Sequence, residues 1–252
     1  MSEEKEEYTR ETYPSSGKKY NGEKAIISLT SWRARINTVS KTLFSLLKQC
    51  PGFHIVLVLS EEEFPKMMDE LPENLMLFIE NELIELLWVY KNYKAFKKVL
   101  FTMDKYRDVP VISADDDCIY TCNYAQTLYN KWLKNKNKII RYTCNNSTDW
   151  YFAVAGQGTL FTWNNFGNFA FPILKFLDEK DIQKSLDDNY YNEIIFSHSL
   201  KFMGLNKGKF FISANEIKPL HPNAWWKNGG KSPARKFHYL KKIMEYKKLN
   251  IK

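Results

Sequence analysis

Three consecutive aspartates, Asp115, Asp116 and Asp117, stand directly after the short apolar run "PVISA". Carboxylates this close repel one another, and at the end of a buried strand that repulsion raises their pKa values and destabilises the fold unless something offsets it. A hard divalent cation does so. With only one or two protein carboxylates around it, such a cation keeps open positions that can hold the two phosphates of a nucleotide. The plainer alternative is a helix cap or a turn, where aspartate is common. The strand before the triplet favours the metal reading, because ligands of parallel α/β sheets bind outside the carboxyl ends of the strands. Arg33 and Arg35 offer a second chemistry: guanidinium groups fork onto phosphate or carbonyl oxygens. Read singly, each also fits an exposed loop arginine.

The surrounding pattern supplies elements to position these groups. "AIISLT" (25–30) reads as a strand, and Ile36, Val39, Leu43 and Leu46 follow helical spacing. "HIVLVLS" (54–60) is a fully apolar strand of the sort buried in parallel sheets. "EEEFPKMMDEL" (61–71) predicts a short helix, "IELLWV" (84–89) a strand, "NYKAFKKVLFTMDKY" (92–106) a helix and "VPVIS" (109–113) the strand that ends at the aspartates. A helix over 123–135 leads to "KIIRY" (138–142). This alternation predicts an α/β fold with a mainly parallel sheet flanked by helices. After residue 143 the pattern weakens into a segment rich in Gly, Asn and aromatics. Helical spacing returns over 189–204, and "KFFIS" gives a last short strand.

At 252 residues, 44% of them hydrophobic and 15% aromatic, the chain can bury one large core. No apolar run approaches the roughly 20 residues of a membrane-spanning helix. Residues 1–24 lack the basic start and apolar centre of a secretory signal, so the expectation is a mobile N-terminal tail on a cytoplasmic protein. Cys50, Cys118, Cys122 and Cys144 show no paired zinc-site spacing and read as reduced thiols. The sequons at Asn145 and Asn146 matter only in a secreted protein.

The net charge of +8 resides in residues 227–252, where nine Lys or Arg face the single acid Glu245. The remaining 28 bases and 28 acids cancel. In that basic tail Phe237, Leu240, Ile243 and Met244 can line one helix face, a pattern compatible with peripheral contact to anionic lipid at the inner face of a membrane. A solvated basic tail is the alternative. The neutral body and acidic triplet count against nucleic acid as a partner.

Taken in order, "IISLTSWRARINTVSKTLFSLLKQ", "IVLVLSEEEFP" and "VISADDDCIY" resemble bacterial glycosyltransferases of the GT-A fold, a Rossmann-related sheet whose DxD motif binds Mn²⁺ or Mg²⁺ and the diphosphate of a sugar nucleotide. The resemblance runs from about Ala25 to about Leu205. It implies a catalytic domain over 25–226, with 25–143 as the nucleotide-sugar half and 144–226 as a less regular acceptor half. It further implies that Asp115 lies near the ribose or the metal, that Asp117 ligates the cation, and that Asp116 belongs to the same donor site. Thr30, Ser31, Arg33 and Arg35 would then seat base and ribose, with Tyr93 and Lys94 near the donor. "YFAVAGQGTLF" resembles the family's glycine segment beside the donor sugar, which implicates Gly156 and Gly158. "SLDDNYYNEIIF" resembles its paired-acid segment, with Asp188 as the base that deprotonates the acceptor hydroxyl and Asp187 orienting the acceptor. Both acids also fit a helix N-terminus. His221 is a candidate third metal ligand, and Trp225 and Trp226 a sugar platform or core aromatics. The implied reaction moves a sugar from a nucleotide-diphosphate donor to the hydroxyl of a carbohydrate or lipid-linked glycan, such as surface polysaccharide or lipopolysaccharide. A single base favours inversion. A nucleotidyltransferase acting on a sugar phosphate, and a non-enzymatic protein that binds an anionic surface or nucleic acid through the basic tail, are the competing readings.

Overall fold

The computed structural model describes residues 12–141 and 158–167, together with the backbone of 211–213. Its strands, in chain order, are β1 (Ser15–Gly17), β2 (Ala25–Thr30), β3 (Phe53–Ser60), β4 (Glu85–Val89), β5 (Val111–Ser113), β6 (Ile139–Arg141), β7 (Thr159–Phe161) and β8 (Phe211–Ser213). They form one sheet in the order β1-β4-β3-β2-β5-β7-β6-β8. The central β4, β3, β2 and β5 run parallel, as do β6 and β8. β1 lies antiparallel on β4, and β7 is antiparallel to both β5 and β6. Every residue of β2, β3 and β4 is buried. That is why these stretches read as continuous apolar runs rather than as alternation: both faces of the sheet are covered.

The covering helices are α1 (Val39–Leu47), α2 (Glu73–Glu80), α3 (Lys97–Lys105) and α4 (Tyr124–Leu133). Ala25, Ile27 and Leu29 of β2 and Ile55, Leu57 and Leu59 of β3 share one core with α1, α2 and α4. Ser28, one residue out of phase, faces the other side, where its hydroxyl donates to the Lys98 carbonyl of α3 at 2.6 Å. The strand period of two therefore sorts the side chains into two cores, one under α1, α2 and α4 and one under α3.

Three expectations need correction. From residue 12 onward the N-terminal segment is not a free tail: Ser15–Gly17 pair with Glu85–Leu87, and Tyr13 is buried with its hydroxyl on Asp104 at 3.0 Å. Gly17 makes this approach possible, with φ +82° and no room for a Cβ, which would stand 2.4 Å from the Ile84 carbonyl. The helix expected over 61–71 is a single 3₁₀ turn, Met67–Glu70, followed by α2, whose start at Pro72 the sequence pattern did not separate. Within the segment read as irregular, β7 inserts between β5 and β6.

Topology sets the location of the site. From β2 the sheet grows outward through β3 to β4, and the chain then returns to the opposite side of β2 as β5. Strand order reverses between β2 and β5, and in open α/β sheets the crevice beyond the carboxyl ends of such a pair is where ligands bind.

Candidate functional site at the carboxyl ends of β2 and β5

β2 ends at Thr30 and leads into a turn-rich loop through residue 38; β5 ends at Ser113 and leads into the aspartates. Register fixes the two exits side by side, with Ser28 opposite Ser113 and the Ala114 N–H on the Ser28 carbonyl at 2.8 Å.

The three aspartates occupy three environments. Asp116 turns inward and is 3% exposed. Its Oδ2 accepts from Ser31 Oγ at 2.6 Å and from Arg35 Nε at 3.1 Å, and its Oδ1 pairs with Arg35 Nη2 at 2.7 Å. That is a side-on guanidinium fork. Burial pushes the Asp116 carboxyl above the usual carboxylate range, while Arg35 and Ser31 pull the other way. Thr42 of α1 fastens the loop from below, its hydroxyl within 2.9 Å of the Asp116 and Cys118 carbonyls. Asp117 is partly exposed and meets the outer edge of the same guanidinium, Arg35 Nη1, through Oδ2 at 2.7 Å. Asp115, also partly exposed, holds Lys98 Nζ on Oδ1 at 2.6 Å. Lys98 is buried in α3 and donates as well to the Ala114 carbonyl at 2.8 Å. The repulsion expected of the triplet is thus offset from inside the protein by Arg35 and Lys98.

A divalent cation is tested against these residues directly. Asp115, Asp117 and Cys118 present ligand atoms within 4.8 Å of one another. The carboxylates suit Mg²⁺ or Mn²⁺. Cys118 does not, since burial and the charges of Asp115 and Asp117 push its thiol up and keep it protonated. The Cys118 thiol instead donates weakly to Asp117 Oδ1 at 3.6 Å. Among the described residues, Asp115 Oδ2 and Asp117 Oδ1 carry no cationic partner, and both side chains reach the surface. The donor set therefore fits a hard cation held by two carboxylates with its other positions open.

The remaining expected site residues divide. Ser31 and Arg35 join the aspartates. Thr30 turns its hydroxyl onto the Val58 carbonyl at 2.6 Å. Arg33 lies outside the cluster, paired with Glu70 at 2.7 Å, bonded to the Glu63 carbonyl and set over the Phe64 ring at 5.2 Å. Tyr93 is buried with its ring 5.5 Å from that of Phe101. Lys94 is exposed in the left-handed region, φ 49°, its N–H on Asn92 Oδ1 at 3.0 Å. Gly158, φ +79°, leads into β7. Gly156, Asp187, Asp188, His221, Trp225, Trp226 and the basic tail lie outside the described residues.

Sequence reasoning missed Lys97 and Lys98. Lys97 is fully enclosed, with Nζ on Asn92 Oδ1 at 2.9 Å and 3.5 Å from Glu63 Oε2. Burial pulls it down to about 8, against the opposing charge of Glu63. A signal existed. At 100° per residue Phe101 projects between Lys97 and Lys98 around α3, so an apolar side chain interrupts the arc that would otherwise be a solvated basic face.

No protein-family model matches the chain, and no curated protein matches it. Among solved structures, glycosyltransferase GlyE of Streptococcus pneumoniae TIGR4 superposes with a TM-score of 0.45 at 14% identity, over 89% of this chain and 61% of that one. Its apo form gives 0.43 at 14% identity, over 88% and 60%. TarS of S. aureus gives 0.47 at 9% identity, over 90% and 43%. This chain thus spans about three fifths of the length of the first two and less than half of the third. Likeness of this degree carries no functional inference, and the chemistry rests on the geometry of the site.

Proposed function

We propose that the protein is a metal-dependent glycosyltransferase of the GT-A type, moving a sugar from a nucleotide-diphosphate sugar to an acceptor hydroxyl on a carbohydrate or lipid-linked glycan. One observation carries this reading. Asp115 and Asp117, each with an oxygen not committed to a cation among the described residues, stand at the strand-order reversal between β2 and β5. Asp115 and Asp117 would hold an Mg²⁺ or Mn²⁺ ion there, which when bound would supply Lewis-acid stabilisation of the diphosphate leaving group. Asp116 and Ser31 orient Arg35 toward the same point, where its guanidinium meets phosphate charge. Lys98 fixes the rotamer of Asp115. Asp188 serves as the base on the acceptor hydroxyl with Asp187 beside it, giving inversion at the anomeric carbon, and His221 is available as a further ligand. Surface polysaccharide or lipopolysaccharide is the acceptor class this reading favours.

The test is a panel of sugar nucleotides scored for Mn²⁺-dependent hydrolysis and thermal stabilisation, with Asp117→Ala beside the wild type. The expected result is one responsive donor and a loss of about a thousandfold in turnover in the variant, or about 4 kcal/mol of transition-state stabilisation. Absence of a metal-dependent response to every donor overturns the proposal.

A further inference from the structure

Arg35 and Lys98 neutralise the same acidic edge in different ways. Lys98 projects from a regular helix, is 2% exposed, and is pinned by Asp115 and by the Ala114 carbonyl. Arg35 sits in a turn-rich loop with its side chain 36% exposed, and divides its guanidinium between two aspartates of unlike burial. Nε and Nη2 grip Asp116, whose side chain is 3% exposed and has Ser31 as a further donor. Nη1 alone reaches Asp117, which is 20% exposed.

We propose that the Asp116–Arg35 fork is permanent and the Nη1–Asp117 contact exchangeable: Arg35 is a built-in counter-ion that yields Asp117 to the divalent cation and turns the released N–H edge to the diphosphate. This rests on the metal-dependent reading above and deepens it. The physical basis is a difference in what each contact would lose. Breaking the fork leaves a buried carboxylate without its charge partner, a large penalty. Breaking the outer contact leaves a partly exposed carboxylate that a divalent ion satisfies better than one guanidinium edge does. Asp116 is then a positioning residue acting through Arg35 rather than a ligand. The arrangement also keeps the triplet balanced before any ligand arrives, so the site folds without its metal.

The exchange predicts effects of opposite sign from one substitution. Arg35→Gln removes the competing charge but retains an amide donor for Asp116. By titration of Mn²⁺ alone, followed by the electron paramagnetic resonance signal of the free ion, this variant should bind the metal about tenfold more tightly than wild type, equivalent to about 1.4 kcal/mol. By calorimetry with UDP and GDP as probes at saturating Mn²⁺, it should bind the responsive diphosphate at least about tenfold more weakly. Arg35→Lys keeps the charge, cannot span both aspartates, and should fall between the two in Mn²⁺ affinity; it serves if the glutamine variant does not fold. A purely structural Arg35 weakens both ligands together, and that result, or unchanged Mn²⁺ affinity in both folded variants, rejects the exchange while Asp117-dependent metal binding stands. No Mn²⁺ binding by wild type or variant rejects the metal reading and the exchange with it.

Discussion

Two charged clusters sit at opposite ends of the parallel part of the sheet, one at the amino ends of β3 and β4 and the other beyond the carboxyl ends of β2 and β5. At the amino end, Glu85 of β4 is 2% exposed and is met by His54 Nε2 at 2.7 Å, Lys105 Nζ at 2.6 Å and Tyr106 Oη at 2.5 Å. Burial works against its charge, yet His54, Lys105 and Tyr106 more than offset this and hold the carboxyl below its usual value. At the carboxyl end the balance falls the other way. Burial raises Asp116 despite Arg35, and lowers Lys97 to about 8 despite Glu63. At the amino end the partners of Glu85 outweigh its burial; at the carboxyl end burial outweighs the partners of Asp116 and Lys97. Buried ionisable groups alone therefore do not mark a site. Buried groups whose burial outweighs their partners, beside partly exposed carboxylates at the end of the strands where ligands bind, make the carboxyl end the candidate site.

The sharpest way to break this comparison is to remove one carboxylate from each end. Glu85→Ala leaves His54 and Lys105 without their buried partner and should cost about 3 to 5 kcal/mol of stability in urea unfolding. Asp117→Ala removes a carboxylate that shares its cation with Asp116, and should change stability by no more than about 1 kcal/mol. Equal losses in the two variants would show both clusters to be structural.

The sequence displayed one end far better than the other. "AIISLT", "HIVLVLS" and "IELLWV" are legible because burial on both faces forces unbroken apolar runs, and Asp115–Asp117 are legible because three adjacent carboxylates have few inexpensive environments. Their internal counter-ions were harder to read. Arg35 lies 80 residues from Asp115 in sequence and meets the triplet only through the β2–β5 pairing. Lys98 looks like any solvated helix lysine until Phe101 is seen to close its arc. The Glu85 cluster left no local trace, since His54 of β3 and the adjacent Lys105 and Tyr106 at the end of α3 converge on a residue of β4. α2 is hard to separate from 61–71 because it is only eight residues long and starts from Pro72 in extended backbone. β7 is only three residues long and its flanking glycine reads as a loop.

A smaller effect tests the disfavoured charge at the carboxyl end. Because the Lys97 ammonium titrates near 8 in the folded protein and near its ordinary value of about 10.4 when unfolded, the unfolded chain holds a proton across this window that the folded protein has released. Stability must then rise with pH. Between pH 8 and 9.5 the gain should be about 1 to 2 kcal/mol in urea midpoints multiplied by the denaturant slope. Lys97→Met should flatten that rise. A wild-type curve already flat over this range would mean that Glu63 and Asn92 hold the ammonium as comfortably as His54, Lys105 and Tyr106 hold Glu85, and the two ends would no longer differ.

The smallest effect probes how fully the amino end is satisfied. Tyr106→Phe deletes one of the three donors to Glu85 and leaves the ring packed against Tyr20 and His54, whose centroids lie 5.3 and 6.1 Å away. With two charged or polar partners remaining, the loss should be about 1 kcal/mol at neutral pH. Its pH dependence has a defined sign. Glu85 sits below its unfolded value when folded, so its contribution is present above the unfolded pKa and disappears as pH falls through the folded one. Losing the tyrosine donor moves the folded value up toward the unfolded one, and the acid unfolding midpoint of Tyr106→Phe should shift to higher pH than that of wild type. Mn²⁺ affinity should not move, because among the described residues Tyr106 bonds to Glu85 and packs on Tyr20 and His54 at the other end of the sheet from the aspartates. A change in metal binding on this substitution would couple the two ends, and the closed cluster would then have to be counted as part of the site.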